Sequence, residues 1–233
     1  LSATGFYKTP KIHYDPQTGG DGLDFYGRAS NPAWRQLESA LAGLEGAASA
    51  LVFGSGMAAI TAVLRALTVP GSTLVVPADG YYQVRAYASE YLAPQGINVI
   101  AARSDEMYEA AGSADLVLAE TPANPSLDVT DLHRLALICR GRGARLIVDN
   151  TTATPLGQLP LALGADVVVA SATKALSGHS DLLAGYAALG DPDLVAYWPF
   201  DEPAGATTFA DLGPDGNTGT CSDCPTGIAC NPS

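Results

Sequence analysis

Lysine is nearly missing from this 233-residue chain. It occurs at Lys8, Lys11 and Lys174 and nowhere else, so beyond Lys11 a single ammonium group remains. Positive charge is scarce altogether: 12 Lys and Arg stand against 24 Asp and Glu, a formal net charge of −12. Such a chain has no basic stripe to follow a phosphate backbone, which excludes the nucleic-acid-binding class. Apolar runs of membrane-spanning length are also missing, which excludes a transmembrane helix. The first residues, LSATGF, show no charged-then-apolar leader, and without an initial Met they leave room for residues upstream. The location expected from these absences is the cytoplasm. Cysteine is sparse and uneven. Cys139 stands alone in a helical pattern, as a buried thiol would, whereas Cys221, Cys224 and Cys230 crowd the C-terminal end. That cluster hints at disulfides or metal, but C-x-x-C plus one cysteine is one ligand short of a structural zinc site.

What is present is a core. The chain is 47% hydrophobic and 15% charged, which suits one large or two small globular domains. Residues 1–30 have poor periodicity and read as an extended arm. NPAWRQLESALAGLEG predicts a helix with Asn31 as cap, Pro32 in the first turn and Gly46 just past the end. From there short apolar runs (LVF, STLVVPA, INVIAA, ADLVLAE, ARLIVDN, ADVVVAS, LLAGYAAL) alternate with helical segments such as GMAAITAVLRAL, YYQVRAYASEYLAPQG and DVTDLHRLALICRGRG. That alternation predicts an α/β fold, a mostly parallel sheet with helices on both faces. The domain division expected is an arm and first helix over 1–45, a main domain over 46–196, and a tail over 197–233.

In such sheets ligands sit beyond the carboxyl ends of the strands. The residues that follow the strands are Gly54-Ser55-Gly56-Met57, Asp79-Gly80-Tyr81, TPANP, Asp149, and Ser171, Thr173 and Lys174. A Gly-rich turn opening a helix is an anion site or merely a tight turn. Ser171 and Thr173 can add hydroxyl donors. Lys174 reads as a phosphate contact, a surface lysine, or a nucleophile partly desolvated by the apolar strand before it. Asp149 reads as a helix cap, a metal ligand, or a buried carboxylate facing a cationic ring nitrogen. Tyr81 is either ordinary core or a plate on which a ring stacks. A phosphate cradle, a lysine, a carboxylate and an aromatic plate together describe the requirements of pyridoxal phosphate.

The stretches YGRASNP, FGSGMAAI, DGYY, ETPANP, VDNT and SATKALSGHSD resemble, in order and spacing, the Cys/Met-metabolism family of pyridoxal-phosphate enzymes, the group of cystathionine gamma-lyase and cystathionine gamma-synthase. The resemblance covers roughly residues 5–196. It implies a fold-type-I large domain, a homo-oligomer (dimer or tetramer), and an amino-acid substrate. It implies that Lys174 holds the cofactor covalently and moves protons, that Asp149 pairs with the pyridine nitrogen with Thr151 beside it, and that Tyr81 stacks on the ring. Gly56, Met57, Ser171 and Thr173 would hold the phosphate, Asn124 would lie near the ring hydroxyl, and Tyr26 and Arg28 would reach a neighbouring subunit's phosphate. The implied reaction is gamma-elimination of cystathionine to cysteine, 2-oxobutanoate and ammonia. The alternative is gamma-replacement on an activated homoserine. DGYYQVR departs from the Tyr-Gly-Gly pattern usual after the stacking tyrosine. His179 reads as active-site lining or, preferably, as a packed core histidine.

Beyond ALGDPDLVA the resemblance ends. No Lys or Arg follows Lys174, so the small C-terminal domain that would supply a substrate-carboxylate arginine is not expected in these residues. The tail is rich in Gly, Pro, Thr and Asp. Its VAYWPFDEPAG and ADLGPDGNTGT resemble the opening of a laminin-G-like jelly roll, which would suit an oxidising compartment, while its composition points rather to a disordered tail. A truncated or fused chain is therefore expected, as an enzyme, as a cofactor binder with an incomplete site, or as a secreted binding module.

Overall fold

A computed structural model describes residues 32–191 and, in the tail, the short strands at 208–209 and 219–220. The elements in chain order are α1 (Pro32–Glu45), β1 (Ser49–Phe53), α2 (Gly56–Leu67), β2 (Thr73–Pro77), α3 (Tyr82–Tyr87), β3 (Asn98–Ala102), α4 (Met107–Ala111), β4 (Leu116–Glu120), α5 (Leu132–Arg142), β5 (Arg145–Asp149), α6 (Thr154–Gly157), β6 (Val167–Ala170), β7 (Gly185–Leu189), β8 (Thr208–Phe209) and β9 (Gly219–Thr220). The expected alternation is present. The short helices α4 and α6 escape a periodicity reading because neither is long enough to show one.

Seven strands form one sheet in the order β1-β7-β6-β5-β4-β2-β3. The pairs β6–β5, β5–β4, β4–β2 and β2–β3 are parallel. The exception is β7, which runs antiparallel to both neighbours. Two reversals restore direction, so β1 runs with β6 and its carboxyl end lies on the same edge as those of the other parallel strands.

Alternate residues on each strand feed the two faces. Leu74, Val76, Leu116, Leu118 and Ile147 pack under Val63 and Leu64 of α2 and Val84 of α3. Val75, Val117, Ala119, Leu146 and Val148 pack under Met107 of α4 and Leu132, Leu135 and Cys139 of α5. Leu41 of α1 joins Val168, Ala170 and Tyr186 in a third cluster. Both faces of β4 and β5 are thus covered, which is why LVLA and LIVD read as unbroken apolar runs. Each such Val, Leu, Ile or Met side chain taken out of water contributes about 1.5–3 kcal/mol. The Cys139 thiol is buried as expected, and burial pushes its pKa up to about 11.

Local signals set the helix ends. Ser55 caps α2 by accepting the Ala58 N–H (3.0 Å), and Asp131 caps α5 by accepting the Arg134 N–H (3.0 Å). Gly46 and Gly143, just past α1 and α5, adopt φ of +65° and +78°, the left-handed conformation that ends a helix at glycine. The long helix expected from Tyr81 onward is shorter: α3 passes into a wide π-type turn at Ala88–Leu92 and a 3-10 turn at Ala93–Gln95. In the tail, β8 and β9 form a small antiparallel ribbon with Thr208 opposite Thr220. The arm, the Asn31 cap and the cysteines Cys221, Cys224 and Cys230 lie outside the described residues.

Candidate active site

The parallel strands deliver five polar clusters to one edge of the sheet, as the strand pattern predicts. Beyond β1, the Gly-rich turn opens α2. Its first N–H groups have no partner within the helix, as at any helix start. Gly56 is buried, and a Cβ there would come within 2.7 Å of the Ser171 Cβ and 2.9 Å of its Cα. A Cβ at Gly185, the first residue of β7, would overlap the Ser55 carbonyl. Three chain segments therefore meet backbone to backbone around this turn, and only glycine permits it.

Beyond β5, Asp149 is buried and Thr151 closes back on it. Asp149 Oδ1 accepts both the Thr151 hydroxyl (2.6 Å) and the Thr151 N–H (3.0 Å). The same hydroxyl oxygen accepts the Ser171 N–H (2.8 Å). Thr151 thereby joins the end of β5 to the turn after β6. Burial raises the Asp149 pKa, and the two bonds from Thr151 only partly offset it. A buried carboxyl of this kind is poised to ionise beside a cation.

Lys174 sits four residues past β6, in a turn fastened by its own N–H to Ser171 O (3.2 Å) and by the Gly178 N–H to its carbonyl (3.0 Å). The partial desolvation expected of its amine is not found: Lys174 is exposed, because the turn carries it beyond the sheet's apolar layer. It lines an open cleft with Thr173 and Asp181. Thr173 uses its hydroxyl on the chain entering β7, donating to Ala184 O (3.1 Å) and accepting the Ala184 N–H (2.9 Å). His179 is exposed rather than packed in the core, with a ring nitrogen against Ser177 O.

On the far side of Asp149, Tyr81 stands at the start of α3, partly exposed, with its ring edge-to-face on Tyr82 (centroids 5.4 Å apart, 65°). Arg85 braces the turn before it, donating to Gly80 O (2.9 Å) and Pro77 O (3.2 Å). Asn124 is exposed on the loop after β4. A cleft of about 510 Å³ opens between these loops, lined by Asp79, Tyr81, Arg85 and Asn124. Met57 is half-buried against the core beside α2. Tyr26 and Arg28 lie outside the described residues.

Two acidic residues here were given no role by sequence reasoning, which named Asp79 only within the polar cluster after β2. Glu120, the last residue of β4, lies directly opposite Asp149 in the parallel register. Its Oε2 accepts the Tyr81 N–H (2.6 Å) and its Oε1 the Asn124 N–H (3.0 Å). Burial raises its pKa to about 7, the Asp149 and Asp79 charges push the same way, and the two amide bonds oppose them. Asp79 is the second. Burial pulls it upward, but the Ser104 N–H (3.0 Å) and the Arg103 charge hold it below the usual carboxylate range. The available signal was an acidic residue ending a wholly apolar strand.

A model of the Cys/Met metabolism PLP-dependent enzyme family matches residues 1–211. The chain belongs to that family, and pyridoxal phosphate is the family's cofactor. The match runs past residue 196, where the sequence motifs end. The chain is 48% identical over 180 residues to the "Putative cystathionine gamma-lyase" of Streptomyces coelicolor, covering 73% of this chain and 45% of that protein. It is 42% identical over 182 residues to the cystathionine gamma-synthase of Escherichia coli K12, covering 74% and 47%. Among solved structures, a cystathionine gamma synthase from Xanthomonas oryzae pv. oryzae in complex with aminoacrylate and cysteine matches with a TM-score of 0.69 at 36% identity, over 80% of this chain and 50% of that one. This family member thus spans about half the length of the relatives it matches. Their names divide between lyase and synthase.

Proposed function

We propose that the chain is the cofactor-binding half of a gamma-lyase-type enzyme, converting cystathionine and water to cysteine, 2-oxobutanoate and ammonia. The observation that carries the cofactor reading is the placement of Lys174 and the buried Asp149 on one sheet edge with the Gly56–Ser171 backbone junction; the choice of gamma-lyase is supported by the 48% identity to a putative cystathionine gamma-lyase. The donor set fits pyridoxal phosphate. The first N–H groups of α2, at Gly56 and Met57, and the Ser171 hydroxyl suit its phosphate. Asp149, expensive to ionise alone, suits a pyridinium nitrogen. Tyr81 offers a plate, Asn124 an amide at the ring's edge, and Lys174 an amine for the aldehyde. When bound, the cofactor supplies an electron sink for charge that develops on the substrate. The chain's own part is to hold it, keep Asp149 ionised by contact with a cation, and move a proton through Lys174. Thr173 donates its hydroxyl to the phosphate only by giving up the bond to Ala184 O, and can go on accepting the Ala184 N–H.

A second reading, a cofactor binder with an incomplete substrate site, is favoured by one observation: no Lys or Arg follows Lys174. A bidentate arginine–carboxylate contact is a strong positioning device, and this stretch cannot supply it. One experiment separates the readings. The visible spectrum of the purified chain is recorded with pyridoxal phosphate, beside Lys174→Ala. Cystathionine is then added with assay of 2-oxobutanoate, or an activated homoserine and cysteine with assay of cystathionine. The gamma-lyase reading expects a visible band that Lys174→Ala loses and cystathionine alters, with 2-oxobutanoate formed. Cystathionine formed from the second mixture instead assigns gamma-replacement. A band indifferent to every amino acid leaves the incomplete site, and no band in either protein refutes cofactor binding through Lys174.

A further inference from the structure

We propose that Glu120 is a positioning residue of this site: its carboxylate ties the loop carrying Tyr81 to the loop carrying Asn124 and fixes the spacing between them. The inference rests on the cofactor reading, since these loops would flank the ring.

Each carboxylate oxygen accepts one backbone N–H, and the two amides belong to different loops: Tyr81 on the approach to α3 (2.6 Å) and Asn124 after β4 (3.0 Å). The chain shape accommodates this clamp at Gly80, where a Cβ would overlap Glu120 Oε2. Arg85 secures the other side of the same turn through the Gly80 and Pro77 carbonyls. The charged groups facing Glu120 are Asp149 from β5 and Asp79 from the turn after β2, both acidic. A buried carboxylate between two others is unfavourable, and a glutamine of the same shape would avoid that. What glutamine cannot do is accept on both sides, because its NH₂ would confront an N–H. The acidic residue is explained by the need for two acceptors.

The test is amide hydrogen exchange by mass spectrometry on the full chain without cofactor, in the wild type, Glu120→Gln and Glu120→Asp, with a pyridoxal-phosphate titration of each. Glu120→Gln is expected to speed exchange roughly tenfold in whichever of the segments 79–84 and 121–126 its NH₂ faces, the equivalent of one lost bond. The cofactor concentration at half-saturation should rise by about the same factor, with other segments unchanged. Glu120→Asp, one methylene short of reaching both amides, should loosen one segment more than the other. In the wild type, protonation on lowering the pH through about 7 removes one of the two acceptors, so one of the two segments should loosen after correction for intrinsic exchange. This pH arm holds even where a variant does not fold. Unchanged exchange in both segments, or a uniform rise across the chain, overturns the proposal. If the wild type forms no Lys174-dependent band while the exchange coupling is present, the cofactor reading fails and the clamp stands.

Discussion

At the β1, β7 and β6 side of the carboxyl edge, the structure is held by backbone meeting backbone at Gly56, Ser171 and Gly185. At the β5, β4 and β2 side it is held by three acidic side chains, Asp149, Glu120 and Asp79, that accept main-chain or hydroxyl donors. The first side is specified by volume and tolerates no added atom. The second is specified by paired acceptor oxygens, which a shape-preserving amide cannot supply, and depends on protonation. Anion binding suits the first, because small residues let N–H groups approach. A cationic ring suits the second, because it relieves carboxyl groups that burial keeps reluctant to ionise.

The largest effect expected is on the steric side. Gly185→Ala forces a Cβ onto the Ser55 carbonyl, and overpacking against backbone should cost about 3 kcal/mol or more. Thermal unfolding should show it as a clear loss of midpoint, with cofactor retention abolished. An unchanged midpoint would mean the glycine contact is not what holds this side.

The next effect sharpens the acidic side. The folded-state pKa of Glu120 is about 7 against an ordinary 4.5, so the fold binds this proton more tightly than the unfolded chain does. Its contribution is most favourable below pH 4.5 and is lost as pH rises toward 7. The loss is about 3 kcal/mol at 1.36 kcal/mol per pH unit. Glu120→Gln has no such slope. Urea unfolding from pH 4.5 to 8 should therefore show the wild type losing stability relative to the variant, although the variant holds cofactor less well. Parallel curves would refute the assignment.

The smallest effect lies at the joint. Thr151→Val removes the hydroxyl shared by Asp149 and the Ser171 N–H. An amide left without a partner costs about 1–2 kcal/mol. Both sides should feel it, read as weaker retention of the cofactor and as a further rise in the Asp149 pKa followed by carboxyl NMR.

Much of this was legible in the sequence, and the reasons differ by residue. The strands after which Gly56, Tyr81, Asp149 and Lys174 fall were readable because buried parallel strands are unbroken apolar runs. Glycine in GSGMAA was readable as close approach because no other residue permits it. Glu120 was not, since its partners Tyr81 and Asn124 come from two other loops and its neighbour Asp149 from another strand. The exposure of Lys174 and His179 escaped too: a turn after a strand can lead into the core or out of it, and the choice is made by tertiary bonds such as Thr173 to Ala184.

The single reversed strand has a consequence for how the protein is made. Among the described residues β1 finds its one sheet partner in β7, so Ser49 waits for Leu189. Pairings so distant along the chain form late, and during synthesis the N-terminal segments emerge long before their partner. Until β7 leaves the ribosome, the Gly-rich turn has Ser171 on one side but lacks the Gly185 backbone that closes the other.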